Sequence, residues 1–147
     1  MNIFQALRED HDKQRALAKA LLATHGDSSE RQRIFTELKA ELQAHAVAEE
    51  RHFYVPLIEN DLTQEKARHG IAEHHDMDEM IEDLEATDMS SPAWMATAKH
   101  LSERIHHHLD EEEHEFFQLA GKVFDAREKL NLSTDFQREK NEYLKSA

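Results

Sequence analysis

A six-residue pattern occurs twice in this chain. His45-Ala46-Val47-Ala48-Glu49-Glu50 and His108-Leu109-Asp110-Glu111-Glu112-Glu113 both read His-x-x-x-Glu-Glu, at an offset of 63 residues. The same offset carries Phe53 onto Phe116, Tyr54 onto Phe117, Asp10-His11 onto Glu73-His74 and Leu21 onto Leu84. The chain therefore reads as one helical hairpin present in two copies. Two copies are too few for an open solenoid, so they are expected to close on each other. The register also selects His74 over His75, and His108 over His106 and His107.

Apolar residues recur at helical spacing along nearly all of the 147 residues. The first helix carries Phe4, Leu7, His11, Leu17, Ala18, Leu21 and Leu22. It is expected to stop near His25-Gly26, where glycine can take the left-handed cap. Ser28 and Ser29 are candidate caps for the second helix, and Ser29 with Gln32 fits a capping box. That helix runs through Ile34, Phe35, Leu38, Leu42, His45, Glu49, His52 and Phe53, with Pro56 as a kink or a last turn. Thr63 can cap a third helix bearing Ile71, His74, Met77, Met80, Ile81 and Leu84. Ser90-Ser91-Pro92 starts a fourth, bearing Trp94, Leu101, Ile105, His108, Glu112, Phe116 and Leu119 and extending toward Lys129. Thr134 with Gln137 fits a capping box for a short fifth helix ending near Leu144.

Helices of roughly 20–30 residues with short loops pack up-down-up-down. Only 3 Gly and 2 Pro are present, too few for the many turns of a sandwich or barrel. The expected architecture is all-α: an up-down-up-down four-helix bundle over residues 1–130, with a short C-terminal fifth helix in an extension over 131–147.

The chain has 31 acidic and 18 basic residues and a formal net charge of -13. That argues against a nucleic-acid partner, which needs a basic face, and against docking on an anionic membrane. No Cys is present, so disulfides, thiolate metal sites and cysteine nucleophiles are excluded. No apolar run approaches the ~20 residues that span a bilayer. The first ten residues, Met1 to Asp10, turn charged too early for a signal peptide. A cytoplasmic protein is expected, and its oligomeric state stays open.

Histidine is abundant: 12, against 2 Tyr and 1 Trp. A His and a Glu at i, i+4 share a helix face. Here both pairs fall on apolar stripes, Leu38-Leu42-His45-Glu49-Phe53 and Leu101-Ile105-His108-Glu112-Phe116. An unpaired buried carboxylate is very costly, and no Lys or Arg is patterned on these stripes. A divalent metal would compensate. The candidate ligands are His11, His45, Glu49, His74, His108 and Glu112, and the two carboxylates could bridge two metals. Nitrogen and oxygen donors without thiolate suit iron or manganese, and ligand type leaves zinc open.

The ordinary readings stand beside this one. A lone His on an apolar stripe is usually a hydrogen-bonded core residue, and one His-x-x-x-Glu pair is usually solvated. Six such residues placed by one repeat are hard to obtain that way. His25, His52, His69, His100 and His114 read as surface or supporting residues, and Asp110 to Glu113 as mostly a solvated acidic face. Phe53, Tyr54, Phe116, Phe117 and Trp94 read as core first and as dry walls around a centre second.

At these residues the sequence resembles the hemerythrin-like, HHE cation-binding family. The matching segments are Asp10-His11, His45-x-x-x-Glu49-Glu50, Glu73-His74, His108-x-x-x-Glu112-Glu113 and the Phe53-Tyr54-Val55-Pro56-Leu57 tail. The resemblance covers about residues 1–125. It implies a non-heme di-iron centre, two iron ions (Fe2+/Fe3+) bridged by Glu49 and Glu112 and by an oxo or hydroxo group. Oxygen-carrying hemerythrins have a fifth histidine one turn from the third-helix ligand; here those positions are Gly70 and Asp78. Their last carboxylate is an Asp five residues after its His, whereas Glu112 is four after His108. The four-His, two-Glu set looks more like the di-iron centres of bacterial iron–sulfur repair proteins, which carry a further cysteine-bearing domain. Asp78, or His69 from off the face, is a candidate to complete the coordination.

The leading functional expectation is a metal-binding protein that binds or senses a small diatomic ligand, dioxygen or nitric oxide, with a binding role favoured over catalysis and the enzyme question left open. The alternatives are iron handling, as storage or donation for iron–sulfur repair, and a ferritin-like di-iron oxidase. The oxidase reading rests on Glu49-x-x-His52 and Glu111-x-x-His114.

Overall fold

The side-chain pattern produces nine helical pieces in the computed structural model, which describes residues 1–146. In chain order they are α1 (Ile3–Leu22), α2 (Ser29–Glu49), a first π-helical turn (Glu50–Tyr54), α3 (Val55–Ile58), α4 (Gln64–Ala86), α5 (Pro92–Glu111), a second π-helical turn (Glu112–Phe116), α6 (Phe117–Ala120) and α7 (Ala126–Ser146). Each π turn runs on from the helix before it into the helix after it, so five long rods result, of which the first four form the bundle and α7 is the fifth. α1 lies beside α2 and α5, and α4 lies beside α5 and the α2–α3 rod, which closes the four-helix bundle. Among the described residues there is no strand. No helix of these residues is long and apolar enough to cross a membrane.

The helix ends follow from local chemistry. Asn2 and Gln5 form a reciprocal capping box at the start of α1, with bonds of 3.0 and 2.8 Å. α1 ends at Leu22, and Gly26 takes φ 58 in the turn that follows. Ser28, not Ser29, caps α2 by accepting the Arg31 N–H at 3.2 Å. Gln32 does not close a box but donates to the Asp27 carbonyl at 3.1 Å. Ser91 caps α5, with Pro92 as its first residue. The Thr63 hydroxyl turns back to the Leu57 carbonyl at 2.7 Å and caps nothing.

The fifth helix departs from the sequence expectation. It starts at Ala126 and runs for 21 residues. Asp125 and Glu128 make its capping box, at 2.9 and 2.8 Å. Thr134 sits inside the helix, its hydroxyl on the Leu130 carbonyl. Two candidate boxes lie within ten residues of sequence, and the earlier one is used. The fourth rod consequently ends at Ala120 rather than reaching Lys129. α7 packs along α1 and α2 and buries Phe136 against them.

The core is in two halves. One end holds Leu21, Phe35, Leu38, Leu42, Ile81, Leu84, Trp94 and Leu101 among others. There Trp94 donates to the Leu84 carbonyl at 3.1 Å and lies under the Arg31 guanidinium at 4.7 Å. The other end is aromatic: Phe53, Tyr54, Phe116, Phe117, Phe124 and Phe136 pack with Ile3, Leu7 and Leu57. Burying one such side chain is worth roughly 1.5–3 kcal/mol. Between the two halves, each of the first four rods contributes polar residues to one layer.

Candidate metal centre

Six buried side chains make that layer. His11 comes from α1, His45 and Glu49 from α2, His74 from α4, His108 from α5, and Glu112 opens the second π turn. None is more than 5% exposed. All six are the residues that the repeat selects. They fall into two groups that could each hold a metal ion: His11, His45, Glu49 and Glu112, and Glu49, His74 and His108. Within each group the ligand atoms lie within 4.8 Å of one another. Glu49 Oε1 is 3.2 Å from both His45 Nε2 and His74 Nε2. Glu112 reaches His11 Nε2 at 3.2 Å through Oε1 and His108 Nε2 at 3.6 Å through Oε2. Both carboxylates thus lie between the two groups.

Five of these buried atoms have no hydrogen-bond partner: His11 Nε2, His45 Nε2, both Glu49 oxygens and Glu112 Oε1. Buried polar atoms are normally satisfied, and each orphan costs on the order of 1–3 kcal/mol. Five orphans aimed at one point are explained if a cation is their partner. No Lys or Arg side chain is paired with Glu49 or Glu112 among the described residues.

The opposite nitrogen of each imidazole is fixed. His11 Nδ1–H donates to Glu113 at 2.6 Å, His45 to Asp10 at 2.9 Å, His74 to Glu50 at 2.8 Å and His108 to Glu73 at 2.8 Å. These bonds obey the 63-residue repeat: His45–Asp10 maps onto His108–Glu73, and His74–Glu50 maps onto His11–Glu113. A carboxylate behind Nδ1 sets the tautomer and leaves the Nε2 lone pair facing inward, as ligating imidazoles require. Two of the four carboxylates are tied in turn. Arg15 bonds Glu113 at 3.1 Å, and Lys140 of α7 bonds Asp10 at 2.8 Å and lies 2.9 Å from Glu41. Phe136 of α7 packs edge-on against the His45 ring at 5.5 Å.

The metal-free electrostatics follow from this crowding. Burial alone would lower the His45 pKa, yet Glu49 and Asp10 lift it to about 10. His74 is lifted to about 9 by Glu49 and Glu50 against the same burial. Burial and the Glu49 charge raise the Glu112 pKa above its ordinary value, while charged His45 holds Glu49 well below its own against burial. The two facing carboxylates therefore differ: one keeps a proton more readily than the other. Glu113 is brought down to about 2 by His11 and Arg15, against its burial.

A seventh side chain joins the layer. The Tyr54 hydroxyl donates to Glu112 Oε2 and lies 3.5 Å from His108 Nε2. It arrives there because of the first π turn, which closes with the Val55 N–H on the Glu50 carbonyl. The i→i+5 bond inserts one residue into the turn, so the consecutive residues Phe53 and Tyr54 both face inward. The second π turn does the same for Phe116 and Phe117.

Asp78 and His69 lie outside the two buried groups: Asp78 is exposed and lines the cleft beside His45, His74 and His108, and His69 lies on the surface with Glu73 and Glu111. His52 turns to Glu139 at 3.3 Å and His114 to the Asp110 carbonyl at 2.8 Å, so neither Glu-x-x-His motif delivers its histidine inward. Glu113 is not a solvated residue but the partner of His11. Trp94 lines no part of the centre. Its place is the apolar end, about 21 Å along the helix from His108 at 1.5 Å per residue.

Sequence reasoning missed Asp10, Glu50, Glu73, Glu113, Tyr54 and Gln14. The four carboxylates stood inside the repeated motifs, and their recurrence was the available signal. Gln14 has a buried, unpartnered amide nitrogen and lines a cleft with His45, His74 and His108. Its position one turn after His11 was the only hint.

Comparison with known proteins agrees with this arrangement. The chain resembles a DNA nickase from Nostoc sp., with 25% identity over 141 residues; the match takes 96% of this chain and 40% of that protein. The chain thus spans well under half the length of that relative. A crystal structure of a hemerythrin HHE cation binding domain-containing protein from Mycobacterium kansasii superposes with a TM-score of 0.89 at 23% identity. The superposition covers 99% of this chain and 89% of that one, and it shows the fold. The family model for the hemerythrin HHE cation binding domain matches residues 2–120. With that match over most of its length, the chain belongs to the hemerythrin HHE cation-binding domain family.

Proposed function

We propose that the chain holds two iron ions, one at His11 and His45 and one at His74 and His108, with Glu49 and Glu112 between them. The pair binds or senses dioxygen or nitric oxide. The observation that carries this reading is the set of five buried, unpartnered donor atoms converging from three of the bundle's rods. Six donor residues exceed what one four-coordinate zinc takes, and their nitrogen and oxygen mix suits iron. When bound at these residues, iron would supply a redox-active point for a diatomic ligand. The chain's own residues do the rest. The four Nδ1 carboxylates aim the imidazoles. Phe53, Phe116 and Phe117 keep water from the aromatic side. Gln14 presents an amide donor to the cleft beside His45, His74 and His108.

Iron handling is a second reading, favoured by a narrow surface cleft that reaches His108 and Glu112. A DNA activity like that named for the Nostoc relative finds no support in a chain of net charge -13.

Metal analysis of freshly purified protein tests the centre, and two irons per chain are expected. Anaerobic ferrous protein is then exposed to nitric oxide, to air and to azide, with visible spectra recorded. A charge-transfer change supports ligand binding, whereas rapid loss of iron to a chelator supports handling. Fewer than two metals per chain, or a loaded centre indifferent to all three reagents, overturns the reading.

A further inference from the structure

A second group of metal-binding side chains lies outside the buried layer. His69 and Glu73 sit one turn apart on α4, and His107 and Glu111 sit one turn apart on α5. The four meet across the α4–α5 groove. His69 Nε2 is 3.4 Å from Glu73 Oε1 and 3.2 Å from Glu111 Oε1. His107 Nε2 is 3.2 Å from Glu111 Oε2 and 4.0 Å from Glu73 Oε2. The ligand atoms of His69, Glu73 and Glu111 all lie within 4.8 Å of one another. The imidazoles are 53% and 56% exposed, while the carboxylates are 14% and 24% exposed. The donors therefore form a cup that opens to solvent.

Two further observations give this cup a direction. One cleft is lined by His69, Glu73 and Glu111 on the outside and by His108 and Glu112 on the inside. Glu73 also belongs to both sites, since its Oε1 accepts the His108 Nδ1–H at 2.8 Å. We propose that His69, Glu73, His107 and Glu111 form an outer site for a divalent first-row metal ion, which passes from there along the cleft to the buried donors. The transfer step rests on the proposed function; the outer site does not. Two exposed imidazoles and two partly buried carboxylates suit first-row ions. They hold an ion less tightly than a rigid, buried set does, which suits capture and release. An ion that exchanges water for carboxylate at the rim need not enter the bundle fully hydrated.

The test uses the metal-free full-length chain, Co2+ as the only metal, and equilibrium dialysis to count bound equivalents. Wild type is expected to show the tight buried equivalents plus one weaker one. The H69A/H107A variant, altered only at exposed positions, is expected to lose the weak equivalent and to fill the buried sites at least tenfold more slowly at limiting Co2+. The H45A/H74A variant is expected to lose tight equivalents and keep the weak one. An outer variant that binds as many ions as wild type overturns the outer site. Loss of the weak equivalent with filling at the wild-type rate overturns the transfer. A full tight load in H45A/H74A instead sinks the buried-centre reading and leaves the outer site standing.

Discussion

A methyl group on Gly70 would fall 2.6 Å from Tyr54 Cζ and from its hydroxyl oxygen, so the glycine and the tyrosine share one volume. Gly70 is one turn before His74, a position from which a side chain would project toward the centre. The tyrosine fills that space from the neighbouring rod. Gly70→Ala is therefore expected to destabilise the protein by about 1–3 kcal/mol through overpacking of a fully buried ring. Urea denaturation with and without metal measures it. An alanine variant as stable as wild type would show that Tyr54 can leave this position freely.

The bridging placement of Glu49 and Glu112 predicts coupled loss. Glu49→Ala or Glu112→Ala is expected to empty both halves of the centre, because each carboxylate faces imidazoles from both groups. Metal content after gel filtration reads this directly. A single variant that keeps one tightly held metal would mean that the two groups are independent sites.

The carboxylates behind the imidazoles should matter in matched pairs. Asp10→Asn and Glu73→Gln are related by the repeat, and each is expected to weaken metal binding about 10–100-fold. The two effects should be similar in size. Competition against a chromophoric chelator gives both affinities, and an unchanged affinity in either variant contradicts the role assigned to that carboxylate.

Metal binding should expel protons. In the metal-free protein His45 titrates at about 10 and His74 at about 9, against an ordinary 6.5. Both folded values lie above the unfolded one. Their contribution to stability is therefore complete below pH 6.5 and is lost as pH rises through 9 to 10. The metal-free protein should melt at falling temperatures across that window, and the loaded protein should not. At pH 7 on the order of two protons should leave on loading. Calorimetry in buffers of different ionisation heat detects them, and identical heats in all buffers would contradict the protonated imidazoles.

Metal removal should also be costly at neutral pH. Binding to the native state alone stabilises by about 4 kcal/mol at a thousandfold excess over the dissociation constant. A chelated sample with an unshifted melting temperature would be inconsistent with a buried centre.

The six inward residues were readable because a carboxylate on an apolar stripe is anomalous, and the anomaly repeats. The bundle was readable from periodicity and from the scarcity of Gly and Pro. The partners of the imidazoles were not readable as partners, although they adjoin the ligands in sequence. His45 meets Asp10 and His108 meets Glu73 across helix pairs, and only the assembled bundle shows which neighbour faces which ring. The Tyr54 hydroxyl's place beside Glu112 was unreadable for another reason. A register of 3.6 residues per turn turns Phe53 inward and leaves Tyr54 a step aside; the π turn abolishes that register just after Glu49. The start of α7 was missed because Asp125-x-x-Glu128 and Thr134-x-x-Gln137 are equally good capping patterns in a polar stretch.

The contact between Lys140 and Asp10 separates two boundaries that are usually taken as one. The family match closes at residue 120, before α7 begins. A fragment cut there would keep all six inward ligands and every one of their Nδ1 partners. It would lose Lys140, which bonds the carboxylate behind His45, together with the aromatic ring that seals that histidine. The family model therefore ends earlier in this chain than the helices that brace the centre do, and a minimal domain trimmed to the former would be an electrostatically altered molecule.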